Sequence, residues 1–159
     1  MIWHDIHEMR RHLLMMKGWG KTIVLVGGYF NPLTFAHCDY LKCAKELGDV
    51  LVCAVNTDWQ VAQKKSVPFM DEKERMHIVN AIRWVDHTFL NVDTDTTMNL
   101  TVAVLKDCVD IVAKGGDVFE ENCKEKETCD RLGIGMVFGV GGPKRQSSSW
   151  LKAKLRGGK

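Results

Sequence analysis

Two glycines and a histidine early in the chain have the spacing of a phosphate-binding loop. An apolar run, residues 23–26, ends in Gly27 and Gly28, and His37 lies in the first turn of the next helical segment. Glycines let a ligand approach the backbone, and the free N–H groups and dipole of a helix N-terminus attract phosphate. Because a histidine in that turn can donate to an anionic oxygen, we predict that this loop holds a triphosphate.

A second glycine pair follows a later apolar run. Gly115 and Gly116 come directly after it and precede Asp117. Glycines at this point would let backbone groups reach a base or a ribose, and Asp117 could accept a hydrogen bond from a hydroxyl. Taken alone, Gly-Gly-Asp is equally a common turn. In company with the first loop, it favours nucleotide binding.

A third loop, residues 139–150, combines cations and hydroxyls just before a last helical segment. Its candidate phosphate ligands are Lys144, Arg145, Ser147, Ser148 and Ser149. Hydroxyls and free N–H groups in a first helical turn can bind phosphate oxygens while a cation neutralises their charge. The alternative is a surface loop that only caps the helix. We favour phosphate binding because the loop follows the last predicted strand.

The elements that position these loops alternate between strand and helix. We predict strands over residues 22–27, 49–56, 87–90, 109–113 and 134–139, and helices over residues 36–47, 71–85, 97–107, 120–132 and 147–155. The nearly continuous apolar run of residues 49–56 is typical of a parallel strand buried on both faces. This α/β alternation predicts a parallel sheet with right-handed crossovers. Such sheets bind ligands at the carboxyl ends of their strands, where the three loops should meet.

Residues 1–21 stand apart from this alternation. Apolar residues recur in them at helical spacing: Ile2, Ile6, Met9, Leu13 and Met16. The spacing predicts a short amphipathic helix, which the Gly18-Trp19-Gly20 sequence ends. It could pack on the core or on a partner chain, or be an upstream extension. We divide the chain into an N-terminal helical extension, residues 1–21, and one domain, residues 22–159.

Composition narrows the class of protein. The 159 residues, 45% of them hydrophobic, fit a globular domain of ordinary size. A net charge of +2 is too small to indicate nucleic acid or a membrane surface, so we expect neither as a partner. Without a membrane-length apolar run or a signal-peptide core, a cytoplasmic location is expected. The six cysteines form no Cys-x-x-Cys pair, so we expect reduced thiols and assign no metal ligands.

The first loop resembles that of the nucleotidylyltransferase (cytidylyltransferase-like) superfamily. That superfamily carries Gly-x-Phe-Asp followed by His-x-Gly-His or Thr-x-Gly-His, and this chain has Gly-Tyr-Phe-Asn at residues 28–31 and Thr-Phe-Ala-His at residues 34–37. It departs from the pattern at Asn31 and Ala36, and at Gly142, where cytidylyltransferases have an arginine. From residue 21 to residue 155 the chain is similar to heptose 1-phosphate adenylyltransferases and glycerol-3-phosphate cytidylyltransferases.

The resemblance implies a five-stranded, Rossmann-like parallel sheet with helices on both faces. It implies that a phosphate oxygen of a small molecule, such as a sugar phosphate or glycerol 3-phosphate, attacks the α-phosphorus of ATP or CTP and releases pyrophosphate. His37 and Thr34 would hold phosphate oxygens, and Lys45 and Arg75 would position the phosphates of both substrates. The implied nucleotide-binding residues are Gly28, Tyr29, Phe30, Asn31, Gly115, Gly116, Asp117, Arg145, Ser147, Ser148 and Ser149.

The resemblance also implies Mg²⁺ bound with the triphosphate, without dedicated protein ligands, and a homodimer. The Lys-Gly-Gly-Asp sequence of residues 114–117 is closer to the adenylyltransferase version, which favours ATP, although CTP stays open. Two alternatives remain. One is a flavin (FMN) adenylyltransferase, and the other is a nucleotide-binding module without turnover, which the departures at Asn31, Ala36 and Gly142 favour.

Overall fold

The apolar runs of the sequence form parallel strands, with helices in the connections between them. The computed structural model describes residues 1–143 and 148–157. The strands are β1 (Ile2–Trp3), β2 (Ile23–Gly28), β3 (Val50–Val55), β4 (His87–Leu90), β5 (Ile111–Gly115) and β6 (Gly135–Val140). The helices are α1 (Ile6–Gly18), α2 (Phe35–Lys45), α3 (Asp58–Gln63), α4 (Glu72–Asn80), α5 (Asn99–Val104), α6 (Lys126–Leu132) and α7 (Ser148–Leu155), and Glu120–Asn122 form a 3-10 turn.

The strands lie side by side in the order β1-β4-β3-β2-β5-β6, and every pair is parallel. The predicted Rossmann-like α/β fold is confirmed, but the described residues form six strands where five were expected, and β1 is the addition. The chain runs outward from β2 in one direction through β3 and β4, and in the other through β5 and β6. Such a reversal opens a crevice at the carboxyl ends of the two adjacent strands at which the order reverses, β2 and β5.

Alternate side chains of the central strands pack into two hydrophobic layers, one on each face of the sheet. Leu25 and Val52 pack with α1, α5 and α6 on one face, whereas Val24 and Leu51 pack with α2 and α4 on the other. All four side chains are fully buried. Helices therefore cover both faces, as expected, and β3 is buried along its whole length because the sheet has a layer on each side.

Three predicted helices are shorter in the structure than expected. Helix α5 begins only at Asn99, since the Thr97 hydroxyl binds the carboxylates of Asp93 and Asp95 in the preceding loop. The stretch 120–132 divides into the 3-10 turn and α6, and α4 ends at Asn80 so that the chain can turn into β4.

Helix α3 lies in a stretch to which no helix was assigned. Its start carries a sequence signal that could have predicted it, because Thr57 and Gln60 form a capping box. The Thr57 hydroxyl accepts from the Gln60 N–H at 3.2 Å, and the Gln60 amide oxygen accepts from the Thr57 N–H at 2.9 Å.

The N-terminal segment packs on the core of the protein. The Asp5 carboxylate caps α1 by accepting from the backbone N–H groups of residues 7 and 8, and Met9 and Leu13 are fully buried against the sheet. Before the helix, β1 pairs with β4, and the Met1 carbonyl accepts from the Thr88 N–H at 2.9 Å. Two residues are too few for an alternating pattern, so β1 carries no sequence signal. The division of the chain at residue 21 stays a prediction.

A buried histidine joins this segment to β4. The Trp3 Nε1–H donates to His87 Nδ1 at 3.1 Å, and the ring of His12 meets His87 edge-on with centroids 5.1 Å apart. Burial is the largest of the causes that lower the pKa of His87 to about 4, and the charges of His12 and the chain's amino group act in the same direction, against the opposing charge of Asp86. His87 is therefore neutral in the folded protein at neutral pH.

Acid is expected to destabilise the fold through His87. Between pH 6.5 and pH 4, the unfolded chain binds a proton at His87 that the folded chain does not, so the free energy of unfolding falls as the pH falls. After allowance for solvent at this sheet edge, the loss is about 2 kcal/mol. Urea unfolding at pH 7 and pH 4.5 should show it, and His87→Asn, which keeps an acceptor for Trp3, should reduce it. The same slope in His87→Asn and in the exposed-site control His77→Asn would contradict this assignment.

Candidate functional site

The carboxyl ends of the central strands open into a cleft of about 650 Å³. Its walls come from the two glycine loops, the loop before α4, the segment before α6, and the start and inner side of α7. Of the predicted site residues, those lining it are Gly28, Tyr29, Phe30, Asn31, His37, Gly115, Gly116, Asp117 and Ser149. The first two loops thus meet as predicted, and α7 brings the end of the third loop to them.

The other six predicted site residues are Thr34, Lys45, Arg75, Arg145, Ser147 and Ser148. Arg145 and Ser147 lie outside the described residues, and Ser148 begins α7. Thr34, Lys45 and Arg75 are absent from the residues described as lining the cleft.

His37 is held in a fixed orientation at the start of α2. Thr34 is the N-cap of that helix and is nearly buried, and its backbone N–H donates to His37 Nδ1 at 2.9 Å. The Thr34 hydroxyl lies 3.2 Å from the same nitrogen, and the Phe30 ring packs edge-on against the imidazole. Because Nδ1 accepts, the proton of the neutral ring sits on Nε2. Thr34 therefore orients His37 as a donor through Nε2–H, and the phosphate contact expected of Thr34 stays a prediction.

Arg75 ties together the chain segments around the cleft. Its guanidinium is buried and donates to the carbonyls of Tyr29 and Asn56, each at 2.7 Å, and it pairs with the Asp58 carboxylate at 2.7 Å. It thereby fixes the ends of β2 and β3 relative to α3. The sequence interpretation gave Arg75 a phosphate-positioning role, but these contacts occupy the guanidinium with protein groups.

Lys45 lies at the opposite edge of the sheet. Its ammonium pairs with the Asp86 carboxylate at 2.5 Å and donates to the Asp49 carbonyl. Asp49 and Asp86 directly precede β3 and β4, so this is the amino edge of the strands. The reason is geometric, because α2 runs back antiparallel to the strands and its last turn lies far from the carboxyl edge that its first turn reaches.

A buried ion pair forms one wall of the cleft, and sequence reasoning missed it. The Lys114 ammonium lies 3.0 Å from the Glu125 carboxylate, and the two side chains are 14% and 7% exposed. Burial by itself raises the pKa of Glu125, but the charge of Lys114 and hydrogen bonds from Lys114 and the Met98 N–H lower it by more, so Glu125 stays ionised. Lys114 could have been identified from the sequence because it directly precedes the glycine pair, whereas nothing in the predicted helix of residues 120–132 distinguished Glu125 from its other charged residues.

The floor of the cleft is closely packed around Gly27. A Cβ there would come within 2.3 Å of the Met98 sulfur, and Met98 is itself held by its backbone N–H, which donates to Glu125 at 2.9 Å. The ion pair, Met98 and the first glycine loop are therefore packed as one unit.

The cleft is predominantly cationic. Of the residues that the structure describes, the charged ones that line it are the cations Lys64, Lys65, Lys114, Lys124, Lys152 and Arg156 and the acids Asp39, Asp117 and Glu125. Six cations against three acids suit a polyanionic ligand. Ser149 and Lys152 of α7 and Arg156, which directly follows it, line the cleft at helical intervals. This spacing could have been found in the sequence.

The acids of the cleft do not form a metal centre. Within residues 1–143 and 148–157, no three His, Cys, Asp or Glu side chains are grouped so that they could hold a metal ion. This donor set fits a divalent cation held mainly by the oxygens of a bound triphosphate.

In the part of the chain that the structure describes, residues 1–143 and 148–157, no helix has the length and apolar character needed to cross a membrane.

Comparison with known proteins places the chain among nucleotide-processing relatives. The family model described as Cytidylyltransferase-like matches residues 25–133. The Bifunctional protein HldE of Geobacter metallireducens is 38% identical over 119 residues, which are 74% of this chain and 24% of that protein. The ethanolamine-phosphate cytidylyltransferase of Dictyostelium discoideum is 35% identical over 103 residues, 61% of this chain and 29% of that protein.

A solved structure is also similar to this chain in fold and in sequence. The crystal structure of the lipopolysaccharide core biosynthesis protein from Thermoplasma volcanium matches with a TM-score of 0.64 and 31% identity, and the match covers 76% of this chain and 95% of that one. The chain spans about a quarter of the length of the curated relatives named above. The resemblance predicted from the first loop is confirmed, and the chain belongs to the cytidylyltransferase-like family.

Proposed function

We propose that this chain is a nucleotidyltransferase that transfers AMP or CMP from ATP or CTP to a phosphorylated small molecule and releases pyrophosphate. The observation that carries the proposal is the oriented His37, whose Nε2–H is the donor nitrogen, at the N-terminus of a helix that opens on a cationic cleft. The named transferase activity of the Dictyostelium relative supports the same reaction class.

The reaction needs no protein nucleophile. A phosphate oxygen of the acceptor attacks the α-phosphorus of the triphosphate, and the bond to the β-phosphate oxygen breaks as pyrophosphate leaves. Negative charge grows on that leaving oxygen, so the protein accelerates the step by positioning the two substrates and by stabilising charge. His37 Nε2–H and the first N–H groups of α2 are the donors for the α- and β-phosphate oxygens.

The other predicted residues divide between the two ends of the nucleotide. The backbone of Gly115 and Gly116 and the carboxylate of Asp117 bind the base and ribose in this proposal. Arg145 and the serines Ser147, Ser148 and Ser149 bind the β- and γ-phosphates. Mg²⁺ bound to the triphosphate would neutralise part of its charge, and no residue of this chain is assigned to hold it. The homodimer that the resemblance implies stays a prediction.

The relatives indicate two classes of phosphorylated acceptor. The similarity to heptose 1-phosphate adenylyltransferases points to a sugar phosphate, and the Dictyostelium relative acts on ethanolamine phosphate. Both present a phosphate monoester, which the lysines of the cleft are suited to bind.

A pyrophosphate-release assay tests the proposal. The purified chain is incubated with Mg²⁺, ATP or CTP, and one of four acceptors: heptose 1-phosphate, ethanolamine phosphate, glycerol 3-phosphate or FMN. We expect acceptor-dependent release with one nucleotide and one acceptor, and loss of release in His37→Ala. Nucleotide binding by calorimetry without release for any acceptor would favour the binding module instead. Binding of neither nucleotide would overturn the proposal.

A further inference from the structure

We propose that Asn31 is a positioning residue that holds a lysine-bearing strap against the cleft. The strap is the segment of residues 64–69, which runs along the mouth of the cleft before α4. The inference rests on the proposed function in that the ligand served by these lysines is taken to be the polyphosphate of a nucleotide.

Asn31 binds the strap with both halves of its amide. Its side chain is buried, with 2% of the residue exposed. The Nδ2–H donates to the Val67 carbonyl at 3.1 Å, and Oδ1 accepts from the Phe69 N–H at 2.7 Å. A carbonyl can only accept and an N–H can only donate, so this amide orientation alone satisfies both partners. The side chain therefore acts like a short stretch of neighbouring strand backbone.

An asparagine is needed at this position. An ionised aspartate, the residue that the superfamily pattern has here, could still accept from the Phe69 N–H but has no proton for the Val67 carbonyl. Its second oxygen would face that carbonyl at the distance where the amide now donates, and two acceptors in contact repel. The asparagine that this chain has in place of the family's aspartate therefore complements the backbone donor and acceptor of the strap.

The strap carries cations into the cleft. Lys64, Lys65 and Ser66 all line it, and the Lys64 ammonium stands 4.7 Å from the centroid of the Tyr29 ring. On the far side, the Lys152 ammonium of α7 donates to the Ser66 hydroxyl at 2.5 Å and lies 5.2 Å from the centroid of the Phe69 ring. The strap is thus held from the first glycine loop and from α7 at once.

Hydrogen bonds rather than burial hold the strap in place. Val67 is 74% exposed and Phe69 is 52% exposed, so neither anchors the segment through a buried side chain. A surface segment with few buried apolar contacts opens readily when its hydrogen bonds are lost. Without Asn31, a ligand would have to order the strap as it binds, and that entropy cost weakens binding. Because the reacting atoms are held by other groups, the loss should fall on KM more than on kcat.

A double-mutant cycle tests this coupling. Asn31→Leu removes both amide contacts at similar size, Lys64→Ala removes one cation of the strap, and Lys73→Ala is a control at an exposed position of α4, away from the lining of the cleft. Calorimetry with tripolyphosphate should show binding about tenfold weaker in Asn31→Leu. Because that variant already misplaces Lys64, adding Lys64→Ala to it should weaken binding by less than Lys64→Ala does in the wild type. If Asn31→Leu does not fold, Asn31→Asp, which keeps the Phe69 contact, replaces it.

Hydrogen exchange provides a readout that does not depend on turnover. Without ligand, the peptide covering residues 64–70 should exchange faster in Asn31→Leu than in the wild type or in Lys73→Ala. Unchanged exchange, or fully additive losses of tripolyphosphate affinity, would overturn this inference. A chain that binds tripolyphosphate through the strap but never releases pyrophosphate would contradict the proposed function and support the role of Asn31.

Discussion

Replacing His37 by alanine is expected to lower kcat/KM of the proposed transfer by at least 100-fold, a loss of about 3 kcal/mol in transition-state stabilisation. The imidazole is locked by the Thr34 N–H on Nδ1, so that Nε2 presents its proton without reorganisation during the reaction. Alanine leaves the helix N-terminus in place but removes this donor. The loss should therefore appear in kcat, because leaving-group charge is greatest in the transition state.

The measurement is steady-state pyrophosphate release with the nucleotide and acceptor that the wild type accepts. His77→Ala, an exposed histidine on α4, is the matched control and should retain wild-type rates. Thr34→Val should lose less than His37→Ala, because the backbone N–H that orients the imidazole is still present. A folded His37→Ala protein with near-wild-type turnover would remove His37 from the mechanism.

Replacing Glu125 by alanine is expected to lower the free energy of unfolding by about 3–5 kcal/mol. The substitution leaves the Lys114 ammonium buried without its counter-charge and removes the acceptor of the Met98 N–H. An unpaired buried charge costs far more than the net gain from an intact pair. Because Met98 packs against Gly27, the substitution should also weaken nucleotide binding.

Urea unfolding monitored by circular dichroism measures the loss, with Glu127→Ala on the exposed side of α6 as the control. Adding Lys114→Met to Glu125→Leu should recover most of the stability, since the double variant contains no unpaired charge. The pKa of Glu125 is lowered in the folded state, so its contribution is present above the unfolded-state pKa and is lost as the pH falls through the folded one. A loss below 1 kcal/mol in Glu125→Ala would show that water already reaches Lys114.

Local sequence was sufficient to predict the first glycine loop and the type of sheet. Apolar runs that end in Gly27-Gly28 and Gly115-Gly116 predict buried parallel strands followed by open turns, and the structure brings both turns to one cleft. His37 was identifiable because a helix N-terminus and its contacts to Thr34 lie within four residues of chain. Such features are set by neighbours along the sequence, so their pattern can be read from it.

The tertiary structure decided the roles that depend on distant partners. Arg75 binds carbonyls of Tyr29 and Asn56, and Asn31 binds the backbone of residues 67 and 69. In both cases the residue type indicated a ligand contact, but burial required that the polar group be satisfied by protein, and only the fold determines which atoms are near enough.

Lys45 and Glu125 show the same limit for charges. The sequence placed Lys45 on the correct helix, yet the direction of α2 carries its last turn to the far edge of the sheet. Glu125 lies in the helix predicted over residues 120–132, and only the tertiary structure places it beside Lys114. The sequence by itself determined five of the six described strands, the glycine turns and the histidine, because hydrophobic periodicity and backbone freedom are local properties. Which polar groups meet the ligand and which meet each other was decided by the packing of segments far apart in the chain.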